Sequence, residues 1–440
     1  MVDRIVMAHM FIRSHIPLFL AALFVAACSE NELILPGDRE PIRPAEVSAQ
    51  PDTIPDLTIP AQRSNQNWPQ LQGSATHLAE NVALAAAPSR IWSVNIGAGN
   101  GRRTRIIAAP IVANGQVFTL DASARVSAVS TSGRSQWSVS VTRDGERAPE
   151  GFGGGLAYDA GALIVTTGFG EVLRLDPATG DVVWRTAVEA AIRAAPAVAD
   201  GRVVVVARSD VAYGLNVETG ELDWRVDGAS LGAGLLGGAS PAIRGPVAVV
   251  PFLSGEVIAV LTRSGRRVWS AAVTGGRREL VRSQIQDISG DPVIDNDLVY
   301  AANQSGRLVQ LDRRSGERLW THRDGAYGPA LPIGGSVFIV SDIGELVRID
   351  AETGDALWRT PLPEWENPEK RRRAIPHYGP LLAGGRLLVA SGDGLLRSFD
   401  PNTGDLLSEV DIPGGAGAAP AIAGGVLYII SKNGELHAFQ

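Results

Sequence analysis

The chain has 440 residues, of which 45% are apolar and 20% charged, and its formal net charge is −7. This balance is typical of a large globular protein, and the acidic charge makes nucleic-acid binding a poor candidate function. The sequence contains one cysteine, so an intrachain disulfide is excluded and stability has to come from packing.

The first 27 residues have the features of a targeting segment. Arg13 precedes an apolar stretch, residues 16–27, which ends in small residues directly before Cys28. This order is typical of a secretory signal peptide, and it resembles the signal of bacterial lipoproteins, in which the cysteine becomes the lipidated first residue. We predict that residues 1–27 are a lipoprotein signal peptide and that Cys28 is the lipid attachment site. An ordinary signal peptide with an incidental cysteine is the alternative. Ser29, rather than an aspartate, follows the cysteine, which in such lipoproteins fits onward transport to the outer membrane.

Residues 28–66 are rich in proline. Six prolines lie among polar residues between positions 36 and 60, a composition that predicts an extended and semi-rigid tether. The string Asn-Trp-Pro-Gln at residues 67–70 follows, and we predict that it docks on the folded domain. We assign residues 67–440 to that domain.

A unit of roughly 45 residues recurs along the folded domain, a period typical of propeller arrays. A typical copy opens with a proline, which the second copy replaces with the glycines of residues 153–155. It continues with short strands rich in Val, Leu and Ile, and a turn of the type Asp-x-x-Thr-Gly precedes a strand that usually carries tryptophan. The turn has a physical basis, because its aspartate can accept from backbone amides and its glycine tolerates a positive φ. The opening prolines are Pro110, Pro196, Pro241, Pro292, Pro329, Pro380 and Pro420. The tryptophans are Trp92, Trp137, Trp184, Trp224, Trp269, Trp320 and Trp358, with Ser408 in the eighth position.

The last copy is incomplete. It opens at Pro420 and stops at Gln440 without a tryptophan-bearing strand, whereas an orphan strand of that type, residues 90–94, precedes the first full copy. The pattern therefore predicts an all-β fold, an eight-bladed β-propeller of four-stranded antiparallel blades, whose ring is closed by an N-terminal strand that pairs with the C-terminal blade. The tryptophans of the outermost strands are predicted to pack between neighbouring blades.

Two strings in one loop have the spacing of catalytic or cofactor motifs. Residues 228–232 match a nucleophile elbow and residues 232–237 a dinucleotide-binding turn, but no helical pattern follows either of them. The histidines of the folded domain are scattered over different blades, and no loop resembles a calcium cage. We predict no catalytic residues, no metal site and no cofactor.

The run Lys370–Arg373 stands out in an acidic chain. It lies in an enlarged connection between two blades. A solvated loop tip is one interpretation, and a contact with an acidic partner surface or with anionic lipid headgroups is the other.

The repeat is of the quinoprotein type. Eight such units behind a lipoprotein signal, with the 67–70 string and two long connections on consecutive blades, resemble the BamB family of barrel-assembly lipoproteins of Gram-negative bacteria. The resemblance implies a scaffold without catalytic activity, anchored by its lipid to the periplasmic face of the outer membrane. It also implies a monomeric subunit of a hetero-complex, which binds the POTRA domains of the central barrel-assembly protein and supports the folding of outer-membrane β-barrel clients, with direct contact to unfolded clients left open.

The resemblance also implies partner-binding residues, because the family docks through two neighbouring loops. The first loop here supplies Gly234, Leu235 and Leu236, and the second supplies Asp287 and Ser289. Leu235 keeps the apolar position of the family, but Leu236 stands where the family has arginine. Asp287 matches the first of two family aspartates, and Ser289 replaces the second. Docking is therefore expected to keep its apolar centre while its polar rim is changed.

Two other functions are open. One is a propeller lipoprotein that captures a peptide or a polysaccharide on its face, since a propeller fold does not decide the ligand. The other is a dehydrogenase dependent on pyrroloquinoline quinone. Many such enzymes carry a vicinal disulfide over the cofactor and need a calcium site and a catalytic aspartate, and the single cysteine excludes that disulfide.

Overall fold

The computed structural model describes residues 54–229, 237–277 and 285–440. These residues form eight four-stranded antiparallel sheets, each built from strands in simple up-and-down order. The predicted eight-bladed β-propeller is therefore confirmed. The first strand is β1 (Arg90–Asn95). The described part of the chain contains no helix with the length and hydropathy needed to cross a bilayer.

The strands of each blade follow the repeat in chain order. Blade 1 contains β2 (Ile111–Ala113), β3 (Gln116–Leu120), β4 (Arg125–Ser130) and β5 (Ser135–Ser140), and blade 2 contains β6 (Gly154–Asp159), β7 (Ala162–Thr167), β8 (Glu171–Leu175) and β9 (Val182–Ala187). Blade 3 contains β10 (Ala197–Ala199), β11 (Arg202–Ala207), β12 (Val211–Asn216) and β13 (Leu222–Asp227), and blade 4 contains β14 (Ala242–Arg244), β15 (Val247–Pro251), β16 (Glu256–Leu261) and β17 (Arg267–Ala272).

The second half of the ring repeats this order. Blade 5 contains β18 (Ile288–Asp295), β19 (Leu298–Asn303), β20 (Arg307–Asp312) and β21 (Arg318–His322), and blade 6 contains β22 (Leu331–Ile333), β23 (Ser336–Val340), β24 (Glu345–Asp350) and β25 (Ala356–Pro361). A separate two-stranded hairpin, β26 (Trp365–Asn367) and β27 (Arg372–Ala374), precedes blade 7, which contains β28 (His377–Ala383), β29 (Arg386–Ser391), β30 (Leu395–Phe399) and β31 (Leu406–Asp411). Blade 8 contains β32 (Ala421–Ala423), β33 (Val426–Ile430) and β34 (Glu435–Phe439). Two short 3-10 turns are Leu71–Gly73 and Ala148–Gly151.

The ring closes through β1, which is the fourth strand of blade 8. Trp92 lies opposite Ala438 and Val94 opposite Leu436 in this antiparallel pair. Reciprocal backbone hydrogen bonds of 2.8 and 2.9 Å between Ser89 and Gln440 extend it. The predicted closure by an N-terminal strand is thus present, and it leaves the incomplete last copy with a full complement of strands.

The outer tryptophans join each blade to the next. The indole Nε1 of Trp184 in blade 2, for example, donates to the carbonyl of Val217 in blade 3 at 3.0 Å. The indole also packs on the glycine of the same turn, and a Cβ added at Gly220 would lie 2.6 Å from the Trp184 ring. The same contact recurs for Trp92 with Gly133, Trp137 with Gly180, Trp224 with Gly265, Trp269 with Gly316, Trp320 with Gly354, and Trp358 with Gly404. The turn glycine of one copy is therefore required by the tryptophan of the copy before it.

This contact can be tested inside one blade. Gly220 and Gly201 have similar positive φ angles, 71° and 74°, but nothing lies within 4 Å of a Cβ at Gly201. Both Gly→Ala substitutions carry a left-handed backbone strain of about 1 kcal/mol. We expect Gly220→Ala to cost about 1–3 kcal/mol more, because its methyl group collides with the indole. Equal losses for the two variants in urea unfolding would contradict the packing role.

The ring has two faces, which the strand directions define. The connection face carries the connections between blades and the turns between second and third strands. The turn face carries the turns between first and second strands and the Asp-x-x-Thr-Gly turns. Apolar clusters fill the spaces between neighbouring blades. In one of them Phe118 of blade 1 and Leu173 of blade 2 lie together, and neither side chain is exposed. These dry inter-blade layers hold the connection loops on a rigid support.

Residues 54–84, here called the N-terminal strap, run along the inner strands. Trp68 exchanges two backbone hydrogen bonds with Val112 of β2, at 2.7 and 2.9 Å. The Gln70 side chain accepts from the amide of Val198 in β10 and donates to its carbonyl. Further backbone bonds to the strap come from Tyr158 in blade 2, Ile243 in blade 4, Ile294 in blade 5, Leu382 and Gly384 in blade 7, and Gly424 in blade 8. The strap thereby pairs the inner strand edges, which an open ring would leave without partners.

The strap begins inside the stretch that its prolines predicted to be a tether. The carbonyl of Pro55 accepts from Arg348 at 2.7 Å, and the amide of Leu57 donates to Asn402 at 3.3 Å. Leu57 and Ile59 pack against the apolar core, which gives these residues a reason to stay on the ring. Residues 28–53 of the predicted tether lie outside the described residues. The predicted docking of residues 67–70 is confirmed, with Trp68 only 3% exposed.

Candidate docking surface on the connection face

A cavity of about 650 Å³ lies at the centre of the connection face. The strap residues Leu71 and Gln72 form its floor, so the strap separates this cavity from the turn face. Its walls come from the connections between blades and are mostly apolar. Wall residues include Ile106, Ile107, Leu156, Ile343, Trp365 and Ile375.

The residues of the first predicted loop, Gly234, Leu235 and Leu236, lie outside the described residues, as does Cys28. The structure describes where that loop ends. There the amide of Ser240 donates to the Asp291 carboxylate at 2.7 Å, and the Ser240 hydroxyl accepts from the amide of Ala195 at 3.1 Å. The C-terminal base of the first loop is therefore attached to the second loop and to the preceding blade.

The two predicted residues of the second loop lie on the cavity wall. Asp287 is only 2% exposed, and its negative charge faces Arg193 on the connection that enters blade 3. Ser289 is half-buried, and its hydroxyl donates to the carbonyl of Ala326 at 2.7 Å. The structure thus brings both residues to one wall, where they hold the second loop to its neighbours.

Asp291 is a residue of this site that the sequence reasoning did not select. It receives the Ser240 amide and so joins the two predicted loops. Burial raises the pKa of Asp291 to about 6, and the hydrogen bonds from Ser240 limit that rise. The available signal was its place directly before the opening proline Pro292, at the end of the loop that contains Asp287 and Ser289.

An ion cluster anchors the second loop at Arg277, the last described residue before position 285. Arg277 forms ion pairs with Asp324 and Asp342. Asp324 also pairs with Arg359 at 2.6 Å and with Nε2 of His322 at 2.8 Å. Burial alone raises the pKa of Asp324, but the hydrogen bond and charge of His322 and the charge of Arg359 outweigh it and lower that pKa to about 2. A charged carboxylate therefore ties the loop base to blades 5 and 6 at neutral pH.

The basic run of the sequence lies in the hairpin β26–β27. Lys370, Arg371, Arg372 and Arg373 are all exposed at its tip or on β27. At the base of the hairpin, Trp365 contributes to the cavity wall. The run is thus presented on an ordered element beside the cavity.

Nothing within the described ranges assembles the motif-like strings into a reactive centre. Residues 230–236, which include most of both strings, lie outside those ranges. Among the described residues, no group of three or more His, Cys, Asp and Glu side chains is placed to hold a metal ion.

Comparisons with known proteins place this arrangement in a family. Residues 122–360 and 344–440 match the family model described as Outer membrane protein assembly factor BamB. The protein of that name from Moranella endobia is 25% identical over 359 residues, which cover 80% of this chain and 90% of that protein.

Solved structures are similar as well. The crystal structure of BamB from Moraxella catarrhalis has a TM-score of 0.67 at 20% identity, over 80% of this chain and 99% of that one. A europium-containing methanol dehydrogenase has a TM-score of 0.66 at 13% identity, over 85% of this chain and 98% of that one. These structural likenesses show the shared propeller fold alone. Because the family model covers more than half of its length, the chain belongs to the family of the outer membrane protein assembly factor BamB.

Proposed function

We propose that the protein is a non-catalytic scaffold of the barrel-assembly machinery, which docks on the POTRA domains of the central barrel-assembly protein through the connection face. Family membership supports assembly of outer-membrane proteins as the process. The observation that carries the docking site is the junction of the two predicted loops, where Ser240 of the first donates to Asp291 of the second at 2.7 Å.

This junction connects the described ends of the two loops. Asp291 and Ser240 join them at one end, and the Arg277 ion cluster anchors the second loop at the other. Fixed loop ends reduce the conformational entropy that a loop loses on binding, which favours docking. In this proposal Leu235 and Leu236 supply the apolar contact, while the buried Asp287 and the half-buried Ser289 hold the second loop in place.

The first described residues of the strap lie at one face of the ring. Leu57 bonds Asn402, and Thr58 lies against Gly334, so the start of the strap is at the turn face. We propose that lipidation at Cys28 anchors the protein to the periplasmic face of the outer membrane through the residues before position 54. The connection face lies on the side of the ring opposite the described start of the strap.

A capture lipoprotein that binds a peptide or polysaccharide is the second candidate, since the cavity of about 650 Å³ on the connection face is large enough for a small ligand. A quinone-dependent dehydrogenase is less well supported, because the chain's one cysteine cannot supply a vicinal disulfide and the cavity walls are mostly apolar.

The test is an affinity pull-down from detergent-solubilised membranes. We compare the wild type with a Leu235→Asp/Leu236→Asp variant. The matched control is Leu406→Asp/Leu407→Asp, which changes two leucines that are 50% and 51% exposed on the outer strand of blade 7. We expect the central barrel-assembly protein to be recovered with the wild type and the control, and to be lost with the loop variant, because charges at the apolar centre oppose docking.

Two other outcomes of the pull-down would contradict parts of this proposal. Equal recovery with all three proteins would show that Leu235 and Leu236 are not needed for docking, while the proposed partner would stand. No recovery with a folded, lipidated wild type would overturn the scaffold proposal and favour the capture lipoprotein.

A further inference from the structure

A charged surface lies on the connection face. It combines the basic hairpin β26–β27 with the connection that enters blade 1. We call it the basic rim, and its cations are Arg102, Arg103, Arg105, Lys370, Arg371, Arg372, Arg373 and Lys432. The seven arginines and lysines other than Lys432 are exposed.

The rim is one patch because Lys432 touches both of its parts. The carbonyl of Lys432, in the turn between β33 and β34, accepts from the amide of Asn100 at 2.6 Å, which holds the connection that carries Arg102 and Arg103. The Lys432 ammonium lies 3.7 Å from Glu366 of the hairpin. Two cationic segments that are far apart in sequence are therefore neighbours at the mouth of the cavity.

The charge of this patch opposes that of the whole chain. Residues 99–109 and 364–376 together with Lys432 contain eight basic and three acidic side chains, a net charge of +5, whereas the chain carries −7. Two of the three carboxylates are already engaged, since Glu366 pairs with Arg373 at 3.3 Å and Glu364 accepts from the Trp365 indole at 2.9 Å. Within the described part of the chain, the side chains of Arg102, Arg103, Lys370, Arg371 and Arg372 form no ion pair.

The basic rim adjoins the apolar wall of the cavity. Ile106 and Ile107 follow the first cationic segment, and Ile375 follows the second, while Trp365 lies at the base of the hairpin. A ligand held by the cations can thus place an apolar side chain in the cavity. Charge-assisted contacts at the mouth would select the ligand, and apolar burial would add affinity.

We propose that the basic rim and the adjoining cavity wall bind an extended acidic segment of a protein partner, with its carboxylates on the rim and an apolar side chain between Trp365 and Ile106. A protein segment fits better than a membrane surface, because the cations stand beside an apolar cavity that a side chain can enter and a flat layer of headgroups cannot. The cations of the rim differ from the predicted docking residues, although Asp287 and Ser289 line the same cavity.

The test measures binding of a fluorescein-labelled peptide that alternates glutamate with leucine to the purified full-length chain, by fluorescence anisotropy. The rim variant is Arg371→Glu/Arg372→Glu/Arg373→Glu. The matched control, Arg134→Glu/Arg263→Glu/Arg266→Glu, makes the same charge change at three exposed turn-face arginines. We expect the rim variant to bind about tenfold more weakly or worse, and the wild-type affinity to fall as salt is raised. The control is expected to stay within about twofold of the wild type, because its charges lie on the opposite face of the ring and solvent ions screen them.

A matched lysine–leucine peptide and vesicles of phosphatidylglycerol distinguish the alternatives. Equal loss in the rim and control variants, or equal binding of the two peptides, would overturn the proposal. Binding of the vesicles without binding of the acidic peptide would overturn it in favour of a membrane contact. The peptide assay contains no barrel-assembly protein, so its result is independent of the pull-down.

Discussion

Replacing Asp324 with alanine is expected to lower the free energy of unfolding by about 3–5 kcal/mol. Asp324 is 3% exposed and accepts from Arg277, Arg359 and His322. Removal of its carboxylate leaves two guanidinium groups close together without their shared counter-charge, in a partly desolvated position. Urea unfolding at pH 7 measures the loss.

The pH dependence of the free energy of unfolding tests the role of Asp324 independently. The folded pKa of Asp324 is about 2, below the ordinary value of 3.8. The stabilisation that the ionised Asp324 carboxylate gives the folded state is therefore fully present above pH 4 and is lost as the pH falls through 2. We expect the stability difference between wild type and Asp324→Ala to shrink by about 2 kcal/mol over that range.

The control substitution is Glu150→Ala, which removes one side of an exposed ion pair with Arg147. Exposed pairs of this kind contribute little to stability, so this variant should unfold like the wild type. If Asp324→Ala did the same, the ion cluster would not support the loop base. If the cluster does support it, Asp324→Ala should also weaken recovery of the barrel-assembly partner, because Arg277 begins the second docking loop.

Replacing Trp68 with alanine is expected to cost about 3–5 kcal/mol, the range for truncation of a buried tryptophan. The side chain is 3% exposed and packs into the apolar cluster that blades 1, 6, 7 and 8 share with the strap. Its ring also lies against Gly73, where a Cβ would approach to 2.9 Å. Loss of the indole should therefore loosen the strap as well as the core.

Hydrogen exchange separates these two effects. The amides of Tyr158, Ile243 and Ile294 donate to carbonyls of the strap, and their exchange should accelerate in Trp68→Ala more than that of amides within the blades. Trp365→Ala, the same change at a half-buried tryptophan of the hairpin, is the control and should leave these amides protected. Unchanged protection in Trp68→Ala would mean that the strap is held without its tryptophan.

The sequence by itself determined the number of blades, their closure and the packing of their tryptophans. Each of these depends on contacts between one copy and the next, so the same residue types recur at one spacing and the pattern can be read from the chain. Gly220 and Trp184 illustrate this, because their contact repeats around the ring. The closing strand was visible for the same reason, since residues 90–94 lack a partner in the repeat.

Only the tertiary structure decided how the site is supported. Gln70 and Val198 are 128 residues apart, and Ser240 meets Asp291 across two blades. Such single bonds have no period, so the repeat does not reveal which residues pair. The same holds for the Arg277 cluster and for Lys432 between the two parts of the basic rim. A repeat specifies the ring, whereas non-repeating donors and acceptors, brought together by its closure, specify the surface that a partner meets.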